Sequence, residues 1–172
     1  MIWKRGENLR AVPIGEMLAS DNPADVLIAY GLGSCVAICL YDPISRVGGM
    51  MHALLPFQTY SLGEDGRPTK YVDRGFPLLL ESMMRLGARK RRLRAYLFGG
   101  AKMAAMPSGV DILNVGERNV IAAREALHTI KLRPRVEEIG GDYGRTVKFY
   151  IGTGKITLKT LVAGERIVSV GT

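Results

Sequence analysis

The sequence predicts a layered α/β sandwich, with mixed or antiparallel sheets and two main helices. Three observations carry this. Apolar runs of strand length recur along the chain, each stopped by Gly, Pro or Asp. Only residues 71–86 and 116–132 space their apolar side chains three or four apart, as a helix does. Most neighbouring runs are joined by short turns, which build hairpins rather than parallel β-α-β units. A doubly wound nucleotide-binding fold is thereby excluded.

Taken in order, Val12 to Met17 reads as a short opening strand, and Ser20-Asp21-Asn22-Pro23 as a turn. Val26 to Ala29 is a strand leading into the glycine turn at Gly31. Cys35 to Tyr41 is an apolar run ended by Asp42-Pro43, and Val47 to Leu55 is its hairpin partner, ended by Pro56. Residues 57–69 are polar and read as a loop. Tyr71 to Leu86 is a helix with Val72, Phe76, Leu79, Leu80, Met83 and Leu86 on one face; Pro77 is placed near its first turn. Leu93 to Phe98 is a strand ending in Gly99-Gly100. Residues 101–114 read as a loop. Gly116 to Leu132 is the second helix, with Val120, Ala123, Leu127 and Ile130 on one face. Strands at Val136 to Ile139, Val147 to Ile151 and Ile156 to Val162 close the chain, separated by glycine turns. The first ten and last eight residues carry no readable function.

The length of 172 residues predicts one domain over 1–172, with its core at about 12–162. A hydrophobic fraction of 47% and a mean hydropathy of +0.08 exclude a disordered chain. No apolar run approaches the roughly 20 residues that span a bilayer. The start, Met1-Ile2-Trp3-Lys4-Arg5-Gly6, lacks the apolar segment of a signal peptide. The expectation is a cytoplasmic protein without membrane insertion, in which Cys35 and Cys39 stay unpaired. Net charge is +8, and Arg85, Arg89, Lys90, Arg91, Arg92 and Arg94 cluster. No aromatic residue is interleaved to stack on bases, so nucleic acid is not the expected partner. A solvated turn is the plainer reading, and an acidic protein surface the functional one.

Gly31-Leu32-Gly33-Ser34-Cys35 lacks the Gly-Lys-Ser/Thr of a phosphate loop and leads into a strand-type run, not a helix. It delivers a cysteine at a sharp turn, and the neighbouring strand carries His52. A cysteine needs a base or a cation nearby to act as a nucleophile. The backbone amides of Gly33, Ser34 and Cys35 are candidate donors to an oxyanion. The competing reading of Cys35 is a small buried hydrophobe, and on chemistry alone the two stand level. An activated thiol there is expected to alkylate well below about pH 8.5, the free-thiol value. His128 reads as a surface residue and Cys39 as core. The cysteines and histidines lack zinc-site spacing, so neither a metal nor an organic cofactor is expected.

These blocks, with Lys70-Tyr71-Val72-Asp73, Phe98-Gly99-Gly100-Ala101-Lys102-Met103, Val115-Gly116-Glu117-Arg118-Asn119 and Gly140-Gly141-Asp142-Tyr143-Gly144-Arg145, resemble the CheD family, the chemoreceptor glutamine deamidases of bacterial chemotaxis. The resemblance covers about residues 12–162. It implies a sandwich similar to the catalytic domain of cytotoxic necrotizing factor toxins. It implies hydrolysis of chosen glutamine side chains on methyl-accepting chemoreceptors, giving glutamate and ammonia. It makes Cys35 the nucleophile and His52 the general base and acid, and it adds a CheC-type phosphatase as a partner of some members. The family usually has a threonine six positions before the cysteine to orient the histidine; this chain has Ala29. The backbone carbonyl at Ala29 is then expected to take that role, with Thr59 or Ser34 as substitutes. The alternative is a weakened relative that docks on receptors or on the phosphatase.

Overall fold

The computed structural model describes residues 6–58, 66–103 and 114–171. Residues 59–65 and 104–113, most of the two predicted loops, lie outside them, as does Thr59. Among the described residues, ten strands form two five-stranded sheets. The first contains β1 (Asn8–Ala11), β3 (Asp25–Leu32), β8 (Arg145–Tyr150), β9 (Ile156–Thr160) and β10 (Gly164–Ser169), hydrogen-bonded in that order. The second runs β2 (Glu16–Ser20), β5 (Val47–Ala53), β4 (Val36–Asp42), β6 (Arg94–Gly99) and β7 (Pro134–Ile139). Among the described residues, only the β1–β3 and β6–β7 strand pairs are parallel. Both sheets are therefore mixed, as the sequence predicts.

The layers follow from side-chain alternation. On β4, Val36, Ile38 and Leu40 face one way and pack with Phe76, Leu79 and Met83 of α1 (Val72–Arg85) and with Val120, Ala123 and Leu127 of α2 (Val115–Thr129). Cys35, Ala37, Cys39 and Tyr41 face the other way, onto Leu27, Ala29, Val147 and Phe149 of the first sheet. The order is thus sheet, sheet, helices. Because the second sheet is covered on both faces, β4 is apolar at nearly every position. Gly48 and Gly49 allow the close approach on both sides of β5: a Cβ on Gly48 would reach Ile151 Cδ1 at 2.5 Å, and one on Gly49 would reach Leu79 Cδ1 at 2.8 Å.

Two expectations are corrected. Val12 to Met17 is not one strand: residues 12–15 turn between β1 and β2, and Glu16 and Met17 begin β2. Pro13 offers no N–H to a ladder and Gly15 has φ +80°, so the chain turns there. Pro77 lies within α1, beyond its first turn, and the helix runs on through it. The strands β1 and β10 go unread because they are exposed edges with little apolar alternation.

The basic cluster is partly tied into the fold. Arg92 places Nη2 2.7 Å from the buried Asp42 carboxylate, to which the Arg89 amide also donates at 2.9 Å. Burial alone would raise the Asp42 pKa. Arg92 and the amides of Arg89, Ile44 and Ser45 override it and hold the group at about 2, against an ordinary 3.8. A lowered carboxylate pKa contributes stability above the unfolded value, lost as pH falls through the folded one. Asp42→Asn is expected to lower unfolding free energy at pH 7 by about 2 kcal/mol. It also removes the loss of stability between pH 4 and 2 that urea titrations would otherwise record.

Candidate active site

Cys35 occupies the last position of the turn between β3 and β4, one residue before Val36. Along β4 and β5, Val36 lies opposite Ala53 and Ala37 opposite His52. Directly opposed residues share a face, so His52 points with Ala37 and Cys35 into the layer between the sheets. Cys35 and His52 are diagonal neighbours there, a placement at about 7 Å between backbones that side chains can bridge. The structure thus brings together the two residues the sequence singled out. Both are buried, at 6% and 1% exposure.

The turn between β1 and β2 holds the imidazole. His52 Nδ1 lies 2.9 Å from the Val12 carbonyl, and the Gly15 amide donates to the His52 carbonyl at 2.7 Å. A ring nitrogen facing a carbonyl must carry the proton, which leaves Nε2 as the acceptor. Nε2 is buried and has no hydrogen-bond partner among the described residues. The carbonyl that orients the ring is therefore that of Val12 and not that of Ala29. Val12 donates its own N–H to Ile28 at the end of β1. The chain then turns at Pro13, which takes the Val12 carbonyl off the sheet and onto the ring. Ala29 instead lies within the β3–β8 ladder opposite Val147, and its methyl packs in the buried cluster that includes Cys35.

Electrostatics sets the resting state. Burial lowers the His52 pKa below the ordinary 6.5, with the Val12 bond opposing it. Burial also raises the Cys35 thiol above 9.0, offset in part by its own backbone N–H. At pH 7 the pair is a neutral thiol and a neutral imidazole. Burial thus works against a thiolate at rest, opposite in direction to the activated thiol expected from sequence.

The turn carrying Cys35 is fixed from behind. The Gly33 carbonyl accepts from Ala101 N at 2.8 Å, the Ser34 carbonyl from Asn119 Nδ2 at 2.9 Å and the Cys35 carbonyl from Gly100 N at 2.8 Å. Gly33 and Ser34, the predicted substrate-side residues, thus present their carbonyls to the scaffold. Asn119 and Gly99-Gly100 are the residues that sequence reasoning missed here. Nearby, Arg145 is 2% exposed and donates to the carbonyls of Gly99 and Gly140. A groove of about 360 Å³ lined by Lys102, Glu117, Arg124 and Ile139 includes neither Cys35 nor His52. Among the described residues, no three His, Cys, Asp or Glu side chains gather as metal ligands, and no helix is long and apolar enough to cross a membrane.

The fold and this pair define a two-sheet α/β protein built around a buried cysteine and an oriented histidine. The family model described as "CheD chemotactic sensory transduction" matches residues 54–160. Proteins called "Probable chemoreceptor glutamine deamidase CheD" align along most of the chain. The one from Symbiobacterium thermophilum is 40% identical over 91% of this chain and 95% of its own. Those from Desulfitobacterium hafniense and Pyrococcus abyssi are 38% and 45% identical, over 94% and 84% of this chain and 99% and 88% of theirs. The chain belongs to the CheD family. A crystal structure of the Bacillus licheniformis hypothetical protein YfiH is similar at a TM-score of 0.46 and 15% identity, over 81% of this chain and 61% of that one; so distant a likeness has no bearing on function.

Proposed function

We propose that this chain is a protein-glutamine deamidase acting on methyl-accepting chemoreceptors, with Cys35 as nucleophile and His52 as general base and acid. One observation carries the reading: both side chains share a buried face, with Nδ1 tied to Val12 and Nε2 left to accept a proton. The names of the relatives support the substrate class.

In the mechanism, His52 Nε2 takes the Cys35 thiol proton as sulfur attacks the side-chain amide carbon. A C–S bond forms and the carbonyl electrons move to oxygen, where the amides of Ser34 and Cys35 stabilise the charge. The C–N bond then breaks, and the imidazolium donates its proton to the departing ammonia. Water attacks the thioester with His52 again accepting a proton. The C–S bond breaks, glutamate leaves and the thiol is restored. The sum is glutamine plus water giving glutamate plus ammonia, with each proton accounted for by His52.

The test is incubation with the cytoplasmic fragment of a chemoreceptor, following ammonia release and site-by-site conversion of glutamine to glutamate by mass spectrometry. Conversion confined to a few receptor glutamines is expected. A folded chain that converts none would leave the docking role, on receptors or on a CheC-type phosphatase, as the better reading.

The resting pair also fixes a pH profile. Below the lowered His52 value the imidazole is charged and accepts nothing. Above the raised Cys35 value the pair has lost the proton that ammonia needs. The profile of kcat/KM is expected to be bell-shaped, with its acid limb below 6.5 and its alkaline limb above 9.0. Limbs inside that window would show that burial does not govern the pair.

A further inference from the structure

We infer that Asn119 is a positioning residue that aims the Cys35 amide at the reacting carbonyl. The inference rests on the deamidase reading above. Asn119 is fully buried on the face of α2 that packs against the second sheet. Its Nδ2 donates at once to the Ser34 carbonyl, at 2.9 Å, and to the Leu54 carbonyl, at 3.0 Å. The first acceptor directly precedes Cys35, and the second follows His52 by two residues at the end of β5. One side-chain amide therefore ties the cysteine turn to the histidine strand. The amide orientation is set by these bonds, since the flipped amide would place oxygen against two carbonyl oxygens. Oδ1 is left buried without a partner among the described residues. A buried polar atom without a partner is costly, and what is retained for that cost is the placement of these two carbonyls.

The consequence for chemistry lies in the peptide plane. Ser34 C=O and Cys35 N–H belong to one planar trans peptide and point in opposite directions. Holding the carbonyl on Asn119 therefore turns the N–H away from α2. That side is the layer between the sheets, where the Cys35 side chain packs and where a carbonyl under attack must develop its negative oxygen. Gly33 C=O, held on Ala101 N, turns the Ser34 N–H away from its own anchor in the same way. Of the three anchors this turn has among the described residues, those from Gly100 and Ala101 are backbone and present whatever the side chain. Asn119 is the one supplied by a side chain.

Positioning of an oxyanion donor predicts a particular pattern of loss. Acyl transfer needs the oxyanion donor; alkylation by iodoacetamide, a displacement at an sp³ carbon, does not. Asn119→Ala is expected to lower kcat for receptor-fragment deamidation about 100-fold, with KM within about twofold. The rate of Cys35 alkylation should also stay within about twofold of the parent. Asn119→Ser keeps one hydroxyl donor in the cavity and should recover about tenfold of the lost kcat; it carries the test if the alanine variant does not fold. Turnover close to that of the parent in the serine and alanine variants would overturn the inference. So would alkylation that falls in step with kcat, since Asn119 would then hold the thiol and imidazole together and do nothing specific to the oxyanion. Failure of the deamidase reading is visible separately, as absence of turnover in the unmutated chain.

Discussion

Cys35→Ala is expected to lower receptor-glutamine deamidation by about 10⁴-fold or more while leaving the protein folded. The magnitude follows from the chemistry: with no sulfur there is no covalent intermediate, and what remains is the modest effect of binding and oxyanion donors. The folding expectation follows from the packing. Cys35 is a small side chain, 6% exposed at the rim of the layer between the sheets, and loses one atom. A cost of about 1 kcal/mol is expected, read as a shift of a few degrees in melting temperature. The carbonyl anchors of the turn are unaffected, because they are made by the backbone and by Asn119. A variant that loses activity and unfolds together would say nothing about the thiol, so the two measurements belong together. Cys35→Ser keeps the shape but exchanges a thiol for an alcohol that His52 must activate against a far higher pKa. It is expected to resemble alanine in activity and the parent in stability.

Gly99→Ala is expected to damage stability and activity at once. Gly99 has φ +99°, a region that residues with a Cβ rarely enter. A Cβ there would also overlap the Cys35 carbonyl oxygen. That oxygen accepts from Gly100 N at 2.8 Å, so relief of the overlap has to come from the turn that carries the thiol. Strain at one such position costs about 1–3 kcal/mol. With the clash added, about 3 kcal/mol is expected, which corresponds to a fall of about 6–12 °C in melting temperature. The displaced Cys35 should lower kcat further than the lost stability explains. Thermal melting and turnover measured well below the melting point separate the two effects. A variant with the parent's melting temperature and turnover would contradict the close fit between the end of β6 and the cysteine turn.

What was legible in the sequence, and what was not, follows from where each residue sits. The β4–β5 hairpin was readable because burial on both faces made Val36 to Tyr41 apolar throughout, with Asp42-Pro43 as a stop. α1 and α2 were readable because each covers the second sheet with one face only. The edge strands β1 and β10 gave no pattern, being mostly exposed on both faces. Cys35 and His52 stood out as side chains of the right chemistry in neighbouring strands. The Val12 carbonyl could not, because any residue has a carbonyl and only the turn at Pro13 directs this one onto the ring. Asn119 does leave a signal in the sequence: it lies four residues before Ala123 on the apolar face of α2, and an amide there requires buried partners.

The most direct test of the account is to quench the reaction with a chemoreceptor fragment and to digest and weigh the Cys35 peptide. A receptor peptide joined to Cys35 as a thioester is expected, released by hydroxylamine, and absent from Cys35→Ala, which also makes no glutamate. Glutamate formed by Cys35→Ala at the parent's rate, with no adduct on the parent, would contradict it.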